Sequence, residues 1–407
     1  MSLFESASLV VTPNGTKASK LYAIKPTDGS GDLTVTRATS ATRVNANGVI
    51  ETVASNVPRI DYSGGGCPSI LVEGQRTNLV LYSQQFDNAY WGQFLCTITA
   101  NDAISPDGTQ NADKIVSTLA NSNNVVFRNN ITGISGGSQT ISFFAKAGTS
   151  STARLQIFDL TNVFSSEYNL TNGTTANTTA GATATIKLYG NGWYSCTLTA
   201  TTLAANHFFD FGIKSTAVGQ FAYIYGAQFE SLANYATSYI PTTTASVTRN
   251  ADVISKTGIS SLIGQTEGTL YTEIKVNKLI GAASRYIFHL SDGTANNRIY
   301  IAFSGAASNV LRARIFNGGT LQCSINSSAL TSTGTYKLAM AYKNNDIVFY
   351  VNGVQIGTDT SATIPTCSRV DIGQNYNNVA QLSDNILLST LWKTRLTNAE
   401  LAELTTI

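Results

Sequence analysis

The feature that most constrains the fold is the run YKLAMAYKNNDIVFYVNGVQIG, residues 336–357. Tyr336, Leu338, Met340 and Tyr342 alternate along its first part, and Ile347, Phe349 and Val351 along its second. Asn344 to Asp346 make one turn, and Asn352-Gly353 is a two-residue hairpin dipeptide. A period of two with such turns commits the segment to a three-strand meander with one buried face. The same grammar recurs upstream. In TISFFAKAG, Ile141 and Phe143 share a face and Phe144 falls on the other; Leu155 and Ile157 of RLQIFDL do likewise. Gly190-Asn191-Gly192 separates two strands, and Asn47-Gly48 separates two more. Charged residues are only 12% of the chain, against about 25% in an average globular protein. Thr, Ser, Asn and Gly take their place, which disfavours helix and favours strands and turns. The one helix signal closes the chain: Thr397 and Glu400 form a T-x-x-E capping box ahead of Leu401 and Leu404. The expectation is an all-β chain, an irregular β-rich module followed by two β-sandwich (jelly-roll) domains, with a short C-terminal helix.

The 407 residues exceed one ordinary core. The strand spacing divides them into an irregular N-terminal β-rich module at 1–90 that packs against something else, a β-sandwich at 91–245 and a jelly roll at 246–407. A net charge of +2 with no basic run argues against nucleic acid as a partner. No apolar stretch is long enough to insert in a membrane, and the first residues lack a basic-then-apolar leader. Cys67, Cys96, Cys196, Cys323 and Cys367 are odd in number and far apart. That spacing reads as isolated, mostly buried thiols rather than disulfides or a zinc site, and as folding in a reducing cytosol. His207 and His289 are the only histidines, both inside strand-like runs, so imidazole chemistry is scarce.

Residues 57–79, VPRIDYSGGGCPSILVEGQRTNL, look at first like a reactive cysteine on a glycine turn. Pro68 and a strand-like run follow Cys67, no histidine is near, and the glycines lack the Gly-Lys-Ser/Thr ending of a phosphate loop. The segment therefore reads as scaffold, with Arg59, Asp61, Glu73 and Arg76 forming a buried ionic network that holds an irregular loop.

RATSATRVNANGVIE and NVPRIDYSGGGCPSILVEGQRTNLVLYSQQFDNAYW resemble a segment of bacteriophage and prophage structural proteins, the head-spike, head-fibre and tail-fibre proteins. AYIYGAQFE with TSYIPTTTASVTRNADV resembles the end of their carbohydrate-binding-module-like middle domain. FYVNGVQIG, VDIGQNY and LLSTLWKTRLTNAELAEL resemble a laminin-G-like or concanavalin-A-like jelly roll, a signature specific for fold and weak for function. The resemblance implies a virion structural protein, a fibre or spike subunit made in the host bacterial cytoplasm and displayed on the virion surface. It implies a homotrimer, an attachment or assembly role for residues 1–90 with other virion proteins as partners, and β-domains that could take cell-surface or environmental glycans as ligands. The alternatives are a capsid decoration protein without glycan affinity and, further off, a polysaccharide depolymerase. No local catalytic motif supports the last, so the expectation is a protein that is not an enzyme.

Glycan recognition needs aromatic faces for sugar rings and planar polar groups for hydroxyls. Trp193 and Tyr194 stand where the resembling modules carry a tryptophan; the competing reading is a core tryptophan at a strand start. Alternation puts Tyr300 opposite Ile299 and Ile301, and Arg312 and Arg314 opposite Leu311, Ala313 and Ile315. On adjacent strands Tyr300, Arg312 and Arg314 would share one solvent-facing surface, for a glycan or for a subunit contact. Asn375 and Tyr376 lie in the loop GQNYNN. Asp292 and Asp384 could assist a calcium ion, but the acidic ligands are thin and turn chemistry explains such residues better. No cofactor or metal is expected beyond that.

Overall fold

The computed structural model describes residues 3–131, 136–202 and 207–407. Strands dominate, and Asn398–Thr405 is the one α-helix among the described residues. The chain divides into two compact units. One takes the residues up to Arg43, Val53–Gln75 and Asn250–Ile407; the other takes Val44–Thr52 and Arg76–Arg249.

The first unit is one 16-stranded antiparallel sheet around one main core, with two smaller apolar clusters outside it. The expected meander is present as strands Gly334–Lys343, Asp346–Val351 and Val354–Asp359. Asn352 and Gly353 both have positive φ, 49° and 79°, the turn that matches the twist of a hairpin. Leu338, Met340, Tyr342, Ile347 and Phe349 face the core as the alternation requires.

Residues 1–90 are not one module in this division. Strand Leu9–Lys17 sits between Lys20–Lys25 and Asp384–Trp392, and Ser69–Val72 also pairs with the latter. The physical reason lies in the burial. Leu9, Val11, Leu21, Leu33 and Ile70 are fully buried in the same core as Ile254 and Leu391. These short apolar runs are too few for a core of their own, and they complete the jelly roll built from residues 250–407. Residues 76–90 belong instead to the second unit, where Val80 and Phe86 enter its core. The C-terminal helix carries the expected capping box: Glu400 N–H donates to Thr397 Oγ1 (3.3 Å) and Thr397 N–H to Glu400 Oε2 (2.7 Å). Leu401 and Leu404 pack on Tyr271, Val348 and Trp392.

The second unit is a sandwich of two six-stranded sheets. One runs Cys96–Ile104, Gln110–Ser117, Phe221–Ser231, Gly137–Ala147, Trp193–Thr202, Ala182–Leu188. The other runs Thr174–Ala176, Val163–Asn169, Thr152–Phe158, His207–Ser215, Ser122–Ile131, Gly92–Phe94. Ile141, Phe143, Leu155, Ile157, Phe209 and Phe211 fill the space between the sheets. Phe144 points the other way, as its place in the alternation requires.

Segment 57–79 is scaffold. Gly65 and Gly66 have φ of 77° and 74°, backbone that a side chain would strain. Arg59 lies buried with Nη1 2.7 Å from Glu73 Oε2, and it also binds Asp252, which Arg37 Nη1 reaches at 2.9 Å. Burial alone would depress the Arg59 pKa, but Asp252 and Glu73 outweigh it and keep the guanidinium charged. Arg59 and Glu73 thus meet directly, and Asp252, 193 residues from Arg59, joins them. Asp61 instead accepts from Ser63 N–H (3.1 Å) and Asn385 Nδ2 (3.3 Å). Arg76 lies in the other unit, 4.0 Å from Glu230 and over the Tyr235 ring. All five cysteines are free; Cys67 is exposed and the other four are buried.

Candidate functional site

In the first unit, strands Arg285–Ser291, Arg298–Phe303, Val310–Asn317 and Arg369–Ile372 bring their outward residues into register. Arg314 stands opposite Tyr300, Tyr300 opposite His289, and His289 opposite Asp371. A second row runs Phe316, Arg298, Ser291, Arg369. Tyr300, Arg312 and Arg314 therefore share one face, as the alternation in the sequence requires.

That face is not simply open to solvent. Tyr300 is 2% exposed and Arg312 7%. Tyr300 packs on Tyr286 and Phe316, with ring centroids 4.9 and 6.4 Å away, and the chain after Ile372 lies over them. Tyr286 N–H donates to Ala380 O at 3.0 Å, and the Tyr376 ring stacks on His289 at 6.0 Å. Large rings on a sheet face are covered when a neighbouring loop offers apolar contact, and alternation within a strand cannot reveal that loop. Arg298, Arg314, Phe316 and Tyr376 remain half-buried at the margin.

The polar groups of this face are incompletely matched. Arg369 is bound to Asp371, with Nε 2.9 Å from Oδ2. Arg298 stacks on Phe316 at 4.1 Å, and its Nε has no hydrogen-bond partner. Arg312 Nε also has none; its Nη2 reaches Ser284 Oγ only at 3.5 Å. Arg314 Nε donates to Ser324 Oγ at 3.2 Å. His289 is wholly buried, with Nδ1 3.5 Å from Asp371 Oδ2 and neither ring nitrogen hydrogen-bonded. Burial lowers its pKa and Asp371 only partly restores it, so the ring is neutral at pH 7. Asn375 is spent on the loop itself, its Oδ1 accepting from Asn377 and Val379 N–H at 3.0 and 3.2 Å.

In the second unit, Trp193 is no platform. It is 1% exposed, its Nε1 donates to Ile104 O at 3.1 Å, and it packs with Phe144, Tyr225 and Tyr239 beneath Val44 and Ile50. Val44 and Ile50 thus cover the Trp193 cluster on the outer face of that sheet. Tyr194 turns to the sandwich core.

The outer face of the opposite sheet is where sequence reading missed groups suited to binding. Phe127 and Phe208 stack at 5.4 Å, and the Phe127 ring lies against Gly92, where a Cβ would come within 2.3 Å of it. Arg154 binds Asp210 and Gln156 beside them, and Lys214 Nζ is 2.7 Å from Glu167. The signal was present in RLQIFDL and NHFFDFGIK. With Leu155, Ile157, Phe209 and Phe211 inward, Arg154, Gln156, Phe208 and Asp210 must face out. A separate polar pocket of about 260 Å³ is lined by Gln84, Gln85, Asp87, Asn88, Asn101 and Asp113. Asp113 accepts N–H bonds from Phe86 (2.8 Å) and Asn101 (3.0 Å), yet burial pushes its pKa up to about 6.

Asp292 and Asp384 do not converge. Asp292 accepts from Thr294 and Asn297 in its own turn, while buried Asp384 holds Arg285 Nη1 at 3.2 Å. Among the described residues, no three His, Cys, Asp or Glu side chains gather where they could hold a metal ion. Among the described residues, no helix is long and apolar enough to cross a membrane.

No protein-family model and no curated protein matches the chain. Among solved structures, it is similar to a carbohydrate-binding module, the CBM40 of Ruminococcus gnavus IT-sialidase. Identity is 16% over 36% of this chain and 86% of that one, with a TM-score of 0.30. Domain 4 of AbnA, a GH43 extracellular arabinanase from Geobacillus stearothermophilus solved with arabinotriose, is 14% identical over 42% and 82% of the two chains, TM-score 0.32. A botulinum neurotoxin type C structure, titled for its interaction with two ganglioside molecules, is 18% identical over 38% and 39%, TM-score 0.31.

Proposed function

We propose that the chain is a glycan-binding structural subunit of a bacteriophage particle, a fibre or spike protein displayed on the virion surface. The observation that carries the binding role is the face of Arg314, Tyr300, His289 and Asp371. There aromatic rings lie beside Arg298 and Arg312, whose Nε atoms have no hydrogen-bond partner, and burying such groups unmatched costs stability that a ligand can restore. The particle role rests on the resemblance of residues 37–51 and 56–91 to phage structural proteins. We read the chain as a homotrimer and as a binder without catalytic chemistry. Asp371 is held by Arg369. Binding is read as independent of calcium, because Asp292 and Asp384 serve their own turn and ion pair.

A second reading, a rigid decoration subunit without glycan affinity, is favoured by the burial of both Trp193 and Tyr300 in the chain's own packing. Glycan-array binding by the full chain, with and without EDTA, separates the two. Binding that Tyr376→Ala weakens supports the first, and a well-folded chain that binds no glycan supports the second. Immunogold labelling of virions with antibody to the chain tests the particle role.

A further inference from the structure

The charge on the aromatic face of the first unit is unbalanced. Among the described residues, no carboxylate lies within ion-pair distance of Arg298, Arg312 or Arg314, whereas Arg369 has Asp371 and Arg285 has Asp384. Arg312 and Arg314 stand two residues apart on one strand and Arg298 sits on the next, opposite Phe316. Arg298 stands two residues beyond Arg314 and four beyond Arg312, so the three span a patch roughly 14 Å by 5 Å, with Arg298 and Arg314 about 7 Å apart along the strands. The manner in which Arg298 is held matters as much as its charge. Its guanidinium lies 4.1 Å over Phe316 and 5.6 Å from Tyr300, whose rings are within 8° of parallel. Stacking occupies the faces of a guanidinium and leaves its in-plane N–H groups, the ones that bind an oxyanion in bidentate fashion, free. Arg314 uses one N–H on Ser324 and keeps the others.

We propose that this face takes an anionic glycan, one bearing a carboxylate or a phosphate on the sugar that meets Arg298 and Arg314, with Arg312 adding charge behind them. The inference rests on the glycan-binding reading above and specifies its ligand class. Phe316 and Tyr376 supply half-exposed rings for the sugar face, and the arginines supply the oxyanion contacts. A nucleic acid is disfavoured, since three arginines on a chain of net charge +2 are too short a track for the phosphate contacts such binding needs.

The test is an array of purified bacterial capsular and O-antigen polysaccharides, some uronate-bearing, some phosphate-bearing and some neutral, probed with the full chain alongside a single-stranded DNA 30-mer. The expected result is retention on acidic polysaccharides only, at least tenfold weaker for Arg314→Gln and Arg298→Gln, and falling as salt rises. Whether uronate or phosphate spots bind identifies the source of the charge. Arg314→Lys keeps the charge but loses the fork, and should show an intermediate loss with an unchanged melting curve. Binding to neutral polysaccharides that both Gln variants retain overturns the anionic ligand and leaves the glycan reading standing. Retention of the DNA alone, or of nothing on the array, overturns both.

Discussion

Two aromatic clusters, each on the outer face of a β-sheet, differ in what they leave unfinished. Around Trp193 the chain supplies its own cover: Val44 and Ile50 close over the rings and Ile104 O accepts the indole N–H. Around Tyr300 the cover is partial, and His289, Arg298 and Arg312 keep buried nitrogens without hydrogen bonds. Both sites are rich in rings, so aromatic content does not separate them. Polar satisfaction does. A cluster whose polar atoms are all matched is finished architecture, and the one that holds unmatched polar atoms next to rings is where we propose the ligand sits.

The comparison can be broken at its strongest point. Trp193→Ala should cost about 3–5 kcal/mol of stability by opening a cavity, read as a large fall in melting temperature, while the folded fraction binds glycan as before. Loss of binding with an unchanged melt would make the sealed cluster the site. The second unit also carries a charge test. Burial raises the Asp113 and Asp210 carboxyls to about 6 from an ordinary value near 3.8, in Asp210 against the pull of Arg154. The folded state then holds these protons more tightly than the unfolded state, so stability rises as pH falls from about 7 to about 4. The gain is at most about 3 kcal/mol for each group. Denaturant midpoints at pH 7 and pH 5 check the sign, and Asp113→Asn should flatten the slope.

Smaller effects sharpen the Tyr300 side. Tyr376→Ala removes a half-buried ring from the margin and should leave stability within about 1 kcal/mol while weakening glycan binding about tenfold, near 1.4 kcal/mol. His289→Leu exchanges an unmatched buried imidazole for an apolar group; it should be neutral or slightly stabilising, within about 1 kcal/mol. A strong destabilisation would show that the imidazole is matched in solution. Smallest of all, Cys67→Ser should not move the melt. Cys67 alone should take up iodoacetamide in the native state, because burial pushes Cys96 up to about 11 and Cys323 and Cys367 up to about 12.

Much of this was legible wherever the deciding contact is local. The 336–357 meander and the Thr397–Glu400 cap follow from spacings of two to four residues, and the shared face of Tyr300, Arg312 and Arg314 from alternation on two neighbouring strands. What covers a face is set by segments far away in sequence. Residues 44–50 over Trp193 and the loop after Ile372 over Tyr300 leave no mark on the strands they cover. The Arg59 network closes through Asp252, and His289 meets Asp371 only because two distant strands pair. The split of residues 1–90 between two units is of the same kind: sparse apolar runs show that a core lies elsewhere, without showing where. The outer face of Phe208 and Asp210 is the opposite case, readable by alternation once Phe209 and Phe211 are assigned inward.

The most direct measurement is calorimetric titration of the full chain with a polysaccharide selected on the array, comparing Trp193→Phe with Arg314→Gln. The account predicts that Trp193→Phe binds like the parent chain and that Arg314→Gln binds at least tenfold more weakly with an unchanged melting curve. Undiminished binding by Arg314→Gln, or loss confined to Trp193→Phe, would contradict it.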